Sequence, residues 1–205
     1  ETSQHRGVIV HETHLSTVTE NVMYNVRGAN YYLEDGNEMH NTLAYNIAIC
    51  PNALNGPLAG CTLPGTDNGE ADTSLNQAGI WSLAHNNHFI GNRMVNSFNG
   101  LLFHSQFAPH GRGAVSGKVC TSHAPFGRLI GNTCHGHGRF GHYFLVSVFP
   151  REVSQILSLN GITASDSCKA LDESGLDRGV PTPLIDACDY DNTWMGSYSL
   201  GDLQF

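Results

Sequence analysis

Gly79-Ile80-Trp81-Ser82 is followed, twenty-one residues later, by Gly100-Leu101-Leu102-Phe103. Each stretch sets a glycine before a short apolar run. The same offset relates Asn21-Val22-Met23-Tyr24-Asn25 to Thr42-Leu43-Ala44-Tyr45-Asn46. Gly7-Val8-Ile9-Val10 opens a unit that closes at Gly28, and Ala29-Asn30-Tyr31-Tyr32 opens the next. A period near twenty residues, built from short β-type runs between Gly and Asn, is the mark of a solenoid. Alternation with a period of two, as in Val8, Ile9 and Val10, means strands rather than helices. The fold class read from the chain is therefore all-β, with side chains one period apart stacked on one another.

Working outward, residues 6–50 hold two coils. Residues 51–78 break the pattern with Pro51, Gly56, Pro57, Gly60, Pro64, Gly65 and Gly69, and read as a loop excursion. The coils resume over residues 79–104, and residues 105–124 form a second excursion rich in Gly and His. Leu129-Ile130-Gly131-Asn132 matches Phe89-Ile90-Gly91-Asn92 at an offset of two periods. His142 to Val146 reads as another strand, and residues 153–159 as a short helix or strand. The division expected is a solenoid over 1–150 and an irregular C-terminal cap or extended arm over 151–205. Gly and Asn recur because tight corners demand left-handed backbone, which these residues tolerate. Asn25, Asn46 and Asn96 are the expected members of a side-chain ladder along the solenoid axis.

The formal charge of −8 argues against nucleic acid and against anionic membrane surfaces as partners. No run of eighteen apolar residues occurs, so no membrane-spanning helix is expected. Glu1 stands where Met would open a primary product, so the chain reads as processed or as a fragment. Six cysteines in an acidic, Lys-poor chain suggest disulfides and an oxidising compartment. Local pairing would join Cys50 to Cys61, Cys120 to Cys134 and Cys168 to Cys188, with buried free thiols as the alternative. The chain has no Cys-x-x-Cys pair that would signal zinc.

Two clusters carry possible chemistry. Glu34, Asp35 and Glu38 form the densest acidic group, and the twenty-one-residue period would lift Asp35 over His14. A His–carboxylate pair beside further carboxylates suits acid–base work on a glycosidic bond, or oxygen ligation of a divalent cation such as Ca²⁺. The competing reading is a corner network with Asp35-Gly36 as the turn. His135, His137 and His142 lie near Arg139, and alternation would put His135 and His137 on one face, a weak metal signature. Trp81, Phe103, Tyr143 and Phe144 sit in strand runs, which favours core packing over stacking on sugar rings. No cofactor motif is present.

Gly7-Val8-Ile9-Val10-His11-Glu12-Thr13-His14, Asn21 to Gly28 and Tyr32-Leu33-Glu34-Asp35-Gly36-Asn37-Glu38 resemble the β-helix repeats of the G8-domain family. That extracellular family includes fibrocystin-like proteins and the cell-migration-inducing hyaluronan-binding protein. The likeness covers about residues 6–150. It implies a right-handed parallel β-helix in an extracellular setting, where some members take part in hyaluronan breakdown and others are receptor-like or structural. It assigns no catalytic residue. The function expected is a structural solenoid module that self-associates end to end or side by side, with extracellular glycan as a further expected partner. The alternative is a carbohydrate-active or glycan-binding module.

Overall fold

The computed structural model describes residues 5–51, 61, 74–104, 121–148, 180–201 and 203–205. Side chains at 122 and 146–148 are not among them. The chain winds as a parallel β-helix with three strands to a coil. The first coil holds β1 (Val8–Val10), β2 (Thr17–Thr19) and β3 (Val22–Tyr24). The second holds β4 (Tyr31–Leu33), β5 (Thr42–Ala44) and β6 (Ile47–Ile49). The third holds β7 (Ala78–Ser82), β8 (His88–Ile90) and β9 (Arg93–Val95). The fourth holds β10 (Asn99–His104), β11 (Leu129–Ile130) and β12 (Thr133–His135). The fifth holds β13 (Phe140–Val148), β14 (Thr182–Ile185) and β15 (Cys188–Tyr190), and β16 (Met195–Gly201) and β17 (Leu203–Gln204) begin a sixth.

Each strand pairs with its counterpart in the next coil, always in parallel. This gives three sheets, β1-β4-β7-β10-β13-β16, β2-β5-β8-β11-β14-β17 and β3-β6-β9-β12-β15. The expected matches Ile80 with Leu101 and Phe89 with Leu129 are both present. The C-terminal stretch expected as a cap or arm is different. From Thr182 onward it continues the solenoid in register, Leu184 on Leu129 and Tyr198 on Tyr143. Its short strands and its Asp and Pro content hid the repeat. Residues 153–159 lie outside the described residues, as do most of the two excursions; Ser74–Asn76 and Thr121–His123 are 3₁₀ turns.

The first two coils are longer than the period read from the sequence. Val22 stacks on Ile47 and Val18 on Leu43, a spacing of twenty-five residues. The ladder therefore runs through Asn21, Asn46, Asn92 and Asn132, each backbone and side-chain amide donating to the next Oδ1 at 3.1 Å. Asn25 and Asn96 do not join it. They occupy left-handed corners, with φ of 55° and 60°. A second, shorter row runs from the Ser16 amide to Asn41 and from the Asn41 amide to Asn87. One residue before each rung of the main ladder the backbone is also left-handed, at Glu20, Tyr45, Gly91 and Gly131. That bend turns the Asn side chain inward, where it replaces the water its corner amides would lack.

Inside, one apolar core runs the length of the stack, from Val10 and Leu33 through Phe89 and Phe103 to Phe144 and Leu184. The outer face of the β1-to-β16 sheet is buried as well. Tyr32 stacks on Trp81 at 4.6 Å between centroids, within a cluster that includes Leu102, Phe140 and Tyr143. Trp81, Phe103, Tyr143 and Phe144 thus pack within the protein, as their strand positions led one to expect.

Candidate functional site

The acidic cluster lies where the chain leaves the C-terminal ends of β1 and β4. Asp35 and Glu38 are buried, Glu34 is half-buried and His11 is exposed. Asp35 accepts a hydrogen bond from the Glu12 amide at 2.8 Å, and its Oδ2 lies 2.9 Å from His11 Nδ1. Glu34 Oε2 is 3.4 Å from the same nitrogen. The carboxylate partner is therefore His11, not His14 as the shorter period implied. His14 is displaced along the loop, where its Nδ1 accepts from the Met39 amide at 3.1 Å. Glu38 turns back on its own loop and accepts from the amides of Asp35 and Gly36 at 2.8 and 2.9 Å. Burial raises its pKa to about 7, against the opposing pull of backbone hydrogen bonds at Asp35 and at Glu38 itself. The group thus pairs an exposed His11 with a buried Asp35, and adds a second buried carboxyl, Glu38, that shapes the turn.

Two buried histidines follow in later coils. His85 stacks on Phe126 at 4.7 Å and meets Phe103 edge-on. Burial lowers its pKa to about 3, and that of His104 to about 4. Both are neutral at physiological pH.

The histidines expected to share a face do not. His135 lies flat on Tyr190, centroids 4.5 Å apart. His137 is fully buried, with Nδ1 3.2 Å from the Ser97 carbonyl. Gly136 between them is left-handed, with φ of 69°, and this corner cancels the alternation. His142 also faces the interior. Its Nδ1 lies 2.9 and 3.0 Å from the two oxygens of Asp189, and its Nε2 is 3.9 Å from Cys134 Sγ. Ser197 Oγ donates to Asp189 at 2.7 Å. Burial, then the charge of Asp189, pushes the Cys134 thiol up, and burial lowers the His137 pKa to about 3.

Of the three disulfides expected, Cys50–Cys61 is present. Cys134 and Cys188 are free thiols, so the pairings with Cys120 and Cys168 are not formed; those two partners lie outside the described residues. Cys134 points into the lumen from β12, which accounts for its isolation. Sequence reasoning missed the roles of His11, Cys134 and Asp189. The forty-residue offset from Asn92 to Asn132 carried a usable signal, because it also places Cys134 on Met94.

Residues 1–142 match the family model described as the CEMIP beta-helix. The chain belongs to that family. The chain is 33% identical over 143 residues to a G8 domain-containing protein of Dictyostelium discoideum, covering 67% of this chain and 13% of the relative. It is 34% identical over 144 residues to protein rliB of the same organism, covering 66% of the chain and 12% of the relative. Human fibrocystin-L is 26% identical over 154 residues, covering 75% of the chain and 3% of the relative. The chain thus spans only a small part of the length of these relatives. The CEMIP β-helix match takes in the acidic cluster, the Asn ladder, Cys134 and His142, and it stops before Asp189.

Proposed function

We propose that this chain is a structural β-solenoid module of an extracellular protein, joined end to end with further β-structure in a fibre or surface layer. The observation that carries the reading is how its buried polar side chains are used. The Asn rows are engaged with backbone amides along the stack, where they fix coil spacing, and Glu38 with the amides of its own loop, where it fixes the turn. End-to-end joining is supported by the first coil, whose strands carry exposed Ile9, Val22 and Tyr24 at sheet edges with no partner strand among the described residues. Edges of this kind pair with other β-structure, and head-to-tail contacts that do not close grow into filaments. The Cys50–Cys61 bridge supports an oxidising compartment. Electron microscopy and light scattering across a concentration series test the reading. Growth of stacked particles is expected, and strictly monomeric particles at high concentration would overturn the assembly.

The second reading is a module that processes or binds acidic glycans. It is favoured by the exposed His11 paired with buried Asp35 beside Glu34. Incubation with hyaluronan and other acidic glycans, with and without chelator, decides it. Chain shortening supports catalysis and retention without shortening supports binding. Unchanged polymer with no retention removes both.

A further inference from the structure

Two inward-facing columns change character at the same level of the stack. On the β3-to-β15 sheet, Met23, Ala48, Met94, Cys134 and Asp189 lie one above another. On the β1-to-β16 sheet the facing column runs Val8, Tyr31, Ile80, Leu101, His142 and Ser197. The first is apolar through three coils and the second predominantly so through four. Both then turn to metal-ligating or polar groups, Cys134 opposite His142 and then Asp189 beside Ser197. An apolar core needs no such switch, and burying a carboxylate there is costly unless it is compensated.

One ligand atom each from Cys134, His142 and Asp189 lies within 4.8 Å of the others. His137 supplies an independent observation. Its Nε2 is buried without a hydrogen-bond partner among the described residues. A Cβ placed on Gly100 would lie 2.7 Å from both His137 Nε2 and Cys134 Sγ, so the two atoms face one space, kept clear by the missing side chain. Cys134 Sγ and His142 Nε2 are 3.9 Å apart. Tetrahedral zinc with one sulfur and one nitrogen ligand sets that separation near ~3.6 Å.

We propose that Cys134 Sγ, His142 Nε2 and His137 Nε2 hold a zinc-class ion in the lumen of the upper coils. Asp189 is the positioning residue. It takes the Nδ1 side of His142 and so directs Nε2 at the metal, the arrangement common to histidine ligands. A thiolate and two imidazoles select zinc or a similarly soft ion over calcium or magnesium. On binding, the Cys134 thiol gives up its proton to solvent and the sulfur lone pair forms the metal bond. The ion ties the β3-to-β15 sheet to the β1-to-β16 sheet where apolar packing gives way.

The test is titration of the purified chain with Co²⁺, in a Cys188→Ser background because Cys188 is the exposed free thiol among the described residues. A single ion per chain is expected, with a sulfur-to-cobalt charge-transfer band in the near ultraviolet and intense visible bands of tetrahedral cobalt, both abolished by zinc. Cys134→Ser should lose the charge-transfer band. Asp189→Asn, which keeps shape and removes charge, should bind about ten- to a hundredfold more weakly. Circular dichroism of each variant confirms that the β-fold is intact, and Asp189→Asn carries the test if Cys134→Ser does not fold. No charge-transfer band in the folded parent would overturn the site. So would a band that survives Cys134→Ser, or unaltered affinity in Asp189→Asn.

Discussion

Asn46 stands directly over Asn21, its Oδ1 accepting both the backbone and the side-chain amide of Asn21 at 3.1 Å. Asn92 repeats the arrangement on Asn46 and also donates to the Leu43 carbonyl at 2.8 Å. Asn92 is completely buried, whereas Asn21 is half-buried in the first coil. Asn92→Ala should therefore cost about 3 kcal/mol, because it strands buried partners without water. Asn21→Ala should cost under ~1 kcal/mol. Urea unfolding checks the order, with equal m-values indicating that only stability changed.

Gly100 and Gly131 are both glycines, for different reasons. At Gly100 a Cβ would crowd the Gly141 carbonyl at 2.6 Å as well as Cys134 and His137. At Gly131 a Cβ would meet Gly91 at an ordinary 3.8 Å, but φ is 66°. Gly100→Ala should destabilise by about 1–3 kcal/mol through overpacking. Gly131→Ala should cost about 1 kcal/mol through backbone strain, and Gly131→Asn should recover much of it. Thermal unfolding of the three variants separates the two causes. Equal losses in Gly131→Ala and Gly131→Asn would remove the strain argument.

Acid acts on the buried groups in opposite directions. His85 and His104 have pKa values lowered from 6.5 to about 3 and about 4. Their contribution is complete above pH 6.5 and is lost as the pH falls toward those values. Glu38 has its pKa raised from 4.5 to about 7. Its contribution is complete below pH 4.5 and is lost as the pH rises to about 7. The two trends oppose each other between pH 4.5 and 6.5. Glu38→Gln should steepen the loss of stability on acidification across that window, and His85→Leu should flatten it. Denaturant midpoints measured at a series of pH values give the slopes directly.

The Cys50–Cys61 bridge closes a loop with a sequence separation of 11. The Gly28 amide donates to the Cys61 carbonyl, and Cys50 Sγ lies 3.5 Å from Ser97 Oγ. Reduction, or Cys61→Ser, should cost about 3 kcal/mol from the chain-entropy term. It should also speed hydrogen exchange at Gly28. Exchange unchanged at Gly28 would mean that packing alone holds the segment.

The coil period was legible where the coils are short. Gly79 and Gly100 differ by the true period of their coils, so the strand pairing there followed at once. Between the first two coils the offset is twenty-three at β1 and β4 and grows to twenty-five at β2 and β5, because the loop after β4 is two residues longer than the loop after β1. Nothing in Asn21-Val22-Met23-Tyr24-Asn25 says which Asn turns inward and which forms the corner, since both roles suit the same residue. The same slip paired His14 with Asp35 in place of His11. Cys134 was obscured differently. An even cysteine count favours disulfides, and only the three-dimensional register shows the thiol facing His142.

The Asn ladder bears on how the molecule would respond to mechanical load. Its rungs lie in series along the axis, so a pull on the two ends is carried by each inter-coil gap in turn. The weakest gap would open first and the neighbouring layers would stay shut. Stretching should then proceed as discrete steps of one coil each, in contrast to a sideways load, which all the gaps would share at once.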